Sequence, residues 1–123
     1  MSDALDARDV LAAALRTVSG LRVYTDPGAD IDPPAAVVGP PRLVWANLST
    51  SPTQATFGVY LLAKQDETTI DRLYGARLDA VLAAIFDTGR ADVQAVQPYA
   101  YPASGGVDLP AVEISVEMPL FPS

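Results

Sequence analysis

The sequence predicts an α+β domain in which two main helices pack on a mostly antiparallel sheet of four to five strands. Apolar residues recur at helical spacing in two separate segments, residues 3–18 and 67–89. Residues 112–118 alternate between apolar and polar side chains, which is typical of a strand covered on one face. The predicted order is helix, strand, strand, strand, helix, strand, strand, and this order favours helices packed on an antiparallel sheet.

The first helix is predicted over residues 3–18. Acidic Asp3 and Asp6 lie in its first turn, where the helix dipole favours negative charge. Gly20 is a natural stop after the last turn. The segment 21–24, which alternates and carries valine and tyrosine, is the first predicted strand.

Two proline pairs frame a short apolar segment in "DPPAAVVGPP", residues 32–41. Proline fixes its own φ and pushes the preceding residue toward extended geometry, so each pair stiffens one end of the segment and cannot lie inside a helix. Residues 35–38 are therefore predicted to be the second strand. We expect residues 42–46 to extend it beyond a kink at Pro40 and Pro41.

The longest predicted strand follows, at residues 53–64. Its apolar side chains divide between the two faces, with Phe57, Val59, Leu61 and Ala63 on one and Tyr60 and Leu62 on the other. A strand with two partly apolar faces is either covered by helices on both sides or contacts another subunit through its second face.

The second helix is predicted over residues 67–89, with a capping-box-like pair at Thr68 and Asp71 and a stop at Gly89. The last third, residues 91–121, is predicted to be two strands joined by a glycine- and proline-containing hairpin loop. In the final strand one face is expected to be core and the other acidic and solvated.

Composition excludes more classes of function than any sequence motif does. The chain has 123 residues, which predicts one domain spanning residues 1–123, and its formal net charge is −7. It has no cysteine and no histidine, so thiolate chemistry and the commonest general base are excluded. With one lysine and scattered arginines, the sequence has no basic cluster to neutralise phosphates, so it does not favour sequence-specific DNA binding. The acidic N-terminus is unlike a secretory leader, and no apolar run is long enough to span a membrane, so we expect a protein used inside a cell or released by lysis.

The carboxylates do not form a predicted catalytic or metal site. Glu113 and Glu117 are four residues apart on one strand, roughly 13 Å, whereas glycosidase pairs need about 5–9.5 Å. Asp26, Asp30 and Asp32 lie in a turn-rich segment without the spacing of a calcium-binding loop. We therefore expect no enzyme activity, no metal and no cofactor.

Two tyrosines are candidates for recognition. Tyr99 and Tyr101 share one face of the same predicted strand and are flanked by Pro98 and Pro102. Tyrosine is enriched at protein interfaces. Core packing explains the pair equally well, so both interpretations stay open at this point.

Three stretches together resemble a known family: "GLRVYTDPGADIDPPAAVVGPP", "FGVYLLAKQDETTIDRLYGARLDAVLAAI" and "YAYPASGGVDLPAVEISVEMPLF". In order, length and proline-framed strand, the chain is similar to the tail terminator proteins of long-tailed, siphovirus-type phages, particularly those that infect actinobacteria. The resemblance implies a structural virion protein that assembles as a ring, usually of six copies. Such a ring caps the completed tail tube, ends its elongation and joins the tail to the head connector.

The resemblance also implies partners and a location. The partners would be further copies of the chain, the tail tube protein and a head-completion or connector protein, with DNA passing through the ring and no membrane involved. The protein would be assembled in the host bacterial cytoplasm and reside in the virion, at the neck above the tail. The family has no catalytic residue to carry over.

The resemblance implies roles for the prolines, the two tyrosines and the acidic residues. Stiff proline-edged loops would hold assembly surfaces in place, so the expected interface residues are Pro33, Pro34, Pro40, Pro41, Tyr99 and Tyr101. Acidic side chains facing a lumen or ring edge would repel passing DNA, and the candidates are Asp26, Asp30, Asp32, Glu113 and Glu117.

Other functions remain open. A head-closure or head-to-tail connector protein of the same neck region would have similar size and charge. A small ligand-binding module or accessory enzyme subunit would place a pocket between the sheet and the second helix. An acidic inhibitor or nucleic-acid mimic is disfavoured because the acids are dispersed among apolar positions.

Overall fold

A computed structural model of the chain describes residues 3–26, 31, 34–45, 51–62, 75–102 and 108–120. These residues form two helices and a six-stranded mixed sheet, which confirms the α+β class. In chain order the elements are α1 (Asp3–Leu15), β1 (Arg22–Tyr24), β2 (Ala35–Val38), β3 (Arg42–Val44), β4 (Gln54–Leu62), α2 (Ala76–Asp87), β5 (Asp92–Pro102) and β6 (Asp108–Pro119).

The sheet is larger than predicted and partly parallel. Its strand order is β1-β2-β4-β6-β5, and β3 pairs with the first part of β4. All pairs are antiparallel except β1 with β2. The expectation of four to five strands is therefore wrong in strand number, while the sheet is mostly antiparallel as expected, with one parallel pair.

The sixth strand arises because one predicted strand is broken into two. β2 and β3 both pair antiparallel with β4, through Val38 opposite Val59 and Arg42 opposite Thr56. Arg42 comes four residues after Val38, whereas their partners on β4, Thr56 and Val59, are three residues apart. The segment between β2 and β3 therefore holds one extra residue. The Gly39 amide still donates to the Gly58 carbonyl, at 2.9 Å. Because prolines have no amide hydrogen, the next two residues cannot continue the ladder, and the predicted kink is confirmed.

The parallel pair follows from the length of the connection that precedes β2. Arg22 lies beside Ala35 and Tyr24 beside Val37, so the two strands run in the same direction. The Arg22 amide also donates to the Pro34 carbonyl, at 3.3 Å. The three residues of β1 span about 10 Å, at roughly 3.3 Å per residue. Residues 25–34 connect β1 to β2, and this number of residues is enough to return the chain to the level where β1 starts. β2 can therefore run parallel to β1 instead of forming a hairpin with it.

Helix α1 ends three residues earlier than predicted. After Leu15 the amides of Thr17 and Val18 donate to carbonyls three residues back, each at 3.1 Å, which tightens the last turn. The Thr17 hydroxyl donates to the Ala14 carbonyl at 2.6 Å. Gly20 then adopts φ +75°, a left-handed conformation that glycine takes at no steric cost, so the predicted stop is confirmed.

Helix α2 ends as predicted. The Thr88 hydroxyl accepts the amides of Arg90 and Ala91, each at 3.2 Å, and Gly89 has φ +68°. Within the described residues α2 begins at Ala76 after Gly75. The predicted start at Thr68 and the capping pair with Asp71 lie outside the described residues.

Both described helices pack on one face of the sheet. A single cluster of buried side chains joins Leu11 and Leu15 of α1 and Ile85 of α2 to the alternate residues of three central strands. Those strand residues are Ala36, Val38, Ala55, Phe57, Val59, Leu61, Val112, Ile114, Val116 and Met118. The alternation predicted for β4 and β6 is confirmed on this face.

Candidate functional site

The sheet face opposite the helices has its own small apolar cluster. Val37, Leu62, Tyr101 and Ala111 are buried there, and neither α1 nor α2 contributes a residue to the cluster. The side chains around this cluster are more exposed. The even-numbered residues of β4 from Gln54 to Tyr60, which lie on this face, are half-buried. This second face is the candidate recognition surface of the described residues.

Three tyrosine rings contact one another on the second face. The ring centre of Tyr60, on β4, lies 4.9 Å from that of Tyr99 and 5.4 Å from that of Tyr101, both on β5. Tyr99 and Tyr101 are 6.4 Å apart, edge to face. These separations fall in the range of favourable aromatic pairs. Tyr101 is 7% exposed and Tyr99 is 37% exposed, so one ring of the cluster is buried and another reaches the surface.

Glu113 completes the surface, and we call Tyr60, Tyr99, Tyr101 and Glu113 the tyrosine patch. The register places Tyr60, Glu113 and Gln97 side by side on three adjacent strands. Gln97 Nε2 donates to Glu113 Oε1 at 2.7 Å, and the Tyr60 hydroxyl donates to the same carboxylate. The carboxylate is thus held in a fixed position on a partly exposed sheet face.

The hydroxyls of Tyr60 and Tyr101 resist ionisation. Burial, together with the negative charge and hydrogen bond of Glu113, raises the pKa of Tyr60 from 10.0 to about 12. Burial also raises the pKa of Tyr101, with a contribution from Tyr99. Both phenols therefore stay neutral to a higher pH than an exposed tyrosine does.

Gly58 makes room for Tyr60. A Cβ atom added at Gly58 would lie 2.8 Å from the Tyr60 hydroxyl and 3.1 Å from Cζ of the same ring. Real carbon contacts are not this short, so the Tyr60 ring would have to move. Glycine at this position thus allows the ring to lie over its own strand.

The predicted acidic surface is only partly assembled by the fold. Glu113 and Glu117 are half-buried on the second face, four residues apart on β6. Asp26 is exposed just after the edge strand β1, which β2 and β4 separate from β6. Asp30 and Asp32 lie outside the described residues. Glu117 shares its row of the sheet with Thr56 and Asp92.

The prolines of the predicted interface flank β2. Pro34 is half-buried directly before that strand, and Pro40 and Pro41, exposed and half-buried respectively, occupy the bulge between β2 and β3. Pro33 lies outside the described residues. Two apolar side chains after the bulge are exposed: Leu43 of β3 at 37%, and Trp45, which directly follows β3, at 51%.

Sequence reasoning identified three of the four residues of the patch. It singled out Tyr99, Tyr101 and Glu113 separately but did not join them, and it missed Tyr60 and the neighbouring Gln97. The alternation of β4 had already indicated that Tyr60 points away from the helix-covered face. Only the strand register, which the sequence does not determine, brings Tyr60 beside Glu113.

A shallow groove of about 310 Å³ lies between the C-terminal halves of the two helices. Its lining comprises Val10, Ala14, Thr17, Ala84, Asp87 and Thr88. Both threonine hydroxyls donate to carbonyls of their own helix, Thr17 to Ala14 and Thr88 to Ile85. The groove therefore offers a ligand few unused polar groups, and it lies between the helices and not between the sheet and the second helix.

Other site types find no support in the described part of the chain. No group of three acidic side chains there is close enough to hold a metal ion. Across the same residues no helix combines the length and the apolar character needed to cross a bilayer.

Comparison with known proteins assigns no family to the chain. Neither a protein-family model nor a curated protein matches it. The resemblance to tail terminators therefore rests on element order, length and the proline-framed strand of the sequence itself.

Proposed function

We propose that the chain is a structural virion protein, a tail terminator that forms a ring at the end of a phage tail tube. The observation that carries the proposal is the one-sided architecture of the domain. Both described helices cover one face of the sheet, while the other face carries an aromatic and acidic surface that neither of them covers. Tyrosine is enriched at protein interfaces, and the tyrosine patch offers no nucleophile and base in catalytic arrangement.

The sheet also has two different edges, which suits a closed ring. β5 is an edge strand of eleven residues, most of them exposed, whereas β3 lines part of the other side of the sheet with three residues. A ring requires one surface of each copy to meet a different surface of the next. Opposite edges of one sheet provide such a pair.

The negative charge has a role in the same proposal. Each copy carries a formal charge of −7, and in the proposed ring part of this charge lines the hole. Like charge repels the DNA backbone and keeps the DNA from adhering to the wall during passage. Glu117 is the proposed candidate for that surface, with Asp26, Asp30 and Asp32 as alternatives at the ring edge, whereas the surroundings of Glu113 favour a contact between copies.

Tail-tube polymerisation tests the function directly. Tube protein from the same phage is polymerised with and without the full chain, and tube lengths are measured by electron microscopy. A terminator stops elongation and adds density at one tube end. Tubes of unchanged length with bare ends contradict the proposal. Binding to the portal side of a purified head, without binding to tubes, identifies a head-closure or connector protein of the same neck region instead.

A further inference from the structure

A ring needs two complementary surfaces on every copy, and the described residues include one candidate for each. The first is the tyrosine patch. Its carboxylate, Glu113, accepts hydrogen bonds from Gln97 and Tyr60 but forms no ion pair with any described residue. A fixed carboxylate beside exposed aromatic surface favours a guanidinium group, which binds carboxylates through a planar fork and stacks on aromatic rings.

The second surface is the strand after the proline bulge. Arg42 is exposed on β3, next to Leu43 at 37% exposure and close to Trp45 at 51% exposure. Arginine and tryptophan are the residues most often found at the energetic centre of interfaces. Arg42 lies on the second face, in line with Thr56, and Leu43 lies on the helix-covered face, in line with Ala55, so these exposed side chains surround the edge of β3. We call Arg42, Leu43 and Trp45 the β3 knob.

Arg42 is the arginine best placed for this role. Among the other described arginines, Arg8 pairs with Asp9 at 3.1 Å, and Arg22, Arg77 and Arg90 take part in interactions within the chain. Arg16 is exposed after α1 and is followed by exposed Thr17 and Ser19, so it lacks apolar neighbours of the kind that flank Arg42. Arg16 therefore provides a matched control for charge.

The positions of the two surfaces in the sheet suit neighbouring copies. Where β3 pairs with β4, the strand order across the sheet is β3, β4, β6, β5. The β3 knob therefore lies at one edge, in the row of the sheet that ends at Asp92, and the tyrosine patch reaches the opposite edge through Tyr99 and Tyr101, at the other end of β5. A second copy shifted along the strand direction brings its β3 edge against the tyrosine patch.

We propose that the tyrosine patch of one copy receives the β3 knob of a second copy, with Arg42 paired to Glu113 against the ring of Tyr99. This inference rests on the proposed ring and identifies the surfaces that close it. The partner is a second copy because the chain itself supplies the complementary charge and the exposed tryptophan. A heterologous contact of this kind repeats around a closed ring.

Charge reversal tests the pair. Arg42→Glu and Glu113→Arg each place like charges across the proposed contact, and sedimentation velocity over a concentration series measures self-association. We expect each variant to weaken association by about tenfold or more, since close interfacial charge pairs carry strong coupling. Arg16→Glu makes the same charge change away from the contact and is expected to associate as the wild type does.

Mixing the two variants separates contact from folding. In an equimolar mixture the carboxylate introduced by Arg42→Glu in one chain meets the guanidinium introduced by Glu113→Arg in the other. The unaltered Arg42 and Glu113 of the two chains also meet, so association is expected to return. The double variant Arg42→Glu, Glu113→Arg is expected to associate for the same reason. If either single variant misfolds by circular dichroism, Arg42→Gln and Glu113→Gln replace the reversals, with the same weakening expected.

Three results overturn the inference. They are a wild-type chain that is monomeric at every concentration, single variants that associate as the wild type does, and folded single variants whose mixture does not associate. None of these contradicts the proposed function, because a chain that stops tube elongation without this contact is still a terminator. A chain that self-associates through this contact but leaves tube length unchanged contradicts the function alone.

Discussion

The missing side chain at Gly58 is what lets Tyr60 hold its place in the patch. A Cβ atom there would lie 2.8 Å from the Tyr60 hydroxyl, and the ring is already in contact with Tyr99 and Tyr101. Gly58→Ala is therefore expected to lower the free energy of unfolding by about 1–3 kcal/mol, as overpacking does. Urea denaturation measures the change.

A double-mutant cycle assigns that cost to the hydroxyl. In a Tyr60→Phe background the 2.8 Å contact is absent and the nearest ring atom is Cζ at 3.1 Å, so Gly58→Ala is expected to cost less. An equal cost in both backgrounds would place the strain in the backbone of β4 and not in the patch.

The raised pKa of Tyr60 predicts a pH dependence. The unfolded chain releases this proton near pH 10.0, while the folded chain holds it until about pH 12, because of burial first and Glu113 second. The stability contributed by the neutral hydroxyl is therefore complete below pH 10.0 and is lost as the pH rises toward 12. Urea titrations across this range should show a smaller loss for Tyr60→Phe than for the wild type. Equal losses would mean that Tyr60 titrates alike in the folded and unfolded chains.

At the scale of elements, the helix layer gives a matched pair of substitutions on α1. Leu11 is fully buried in the cluster that joins both helices to the sheet, whereas Leu5 is 44% exposed. Leu11→Ala is expected to lower the free energy of unfolding by about 2–5 kcal/mol, and Leu5→Ala by no more than about 0.5 kcal/mol. The helix propensity changes equally in both variants, so chemical denaturation isolates burial. Equal effects would contradict the placement of α1 on the sheet.

The proline bulge sets the position of β3. Pro40 and Pro41 interrupt the ladder along β4 and separate a fully buried strand from one with an exposed arginine and tryptophan nearby. The double variant Pro40→Ala, Pro41→Ala is expected to change the free energy of unfolding by about 1 kcal/mol or less. Self-association should weaken about tenfold, equivalent to ~1.4 kcal/mol. Thermal melting and sedimentation velocity measure the two effects, and equal losses in both would reduce the prolines to a role in fold stability.

The elements show what the sequence can and cannot predict. Helical spacing and the stops at Gly20 and Gly89 located the helix ends within a few residues, because glycine conformation is a local property. The alternation of β6 located its buried face for the same reason. The parallel pairing of β1 with β2 depends on where a connection returns the chain, which no local pattern encodes. The tyrosine patch was missed as a unit because Tyr60 and Glu113 meet only through strand register.

At the scale of the whole molecule, charge and shape point to assembly. The chain carries −7 formal charges, yet the β3 knob is a basic and aromatic surface at one edge of the sheet, and the tyrosine patch is acidic and aromatic toward the other edge. This polarity lets a like-charged protein associate with itself through local complementarity. In the proposed ring the remaining acids would face solvent or passing DNA.

Ring formation is tested most directly by the mass and shape of the purified full chain over a concentration series. Light scattering measures the mass and negative-stain electron microscopy the shape, with and without tail tubes. We predict closed rings with a central hole, of about six times the 12.9 kDa chain mass, in solution or at tube ends. A chain that remains monomeric at every concentration and is not recruited to tube ends would contradict the claim.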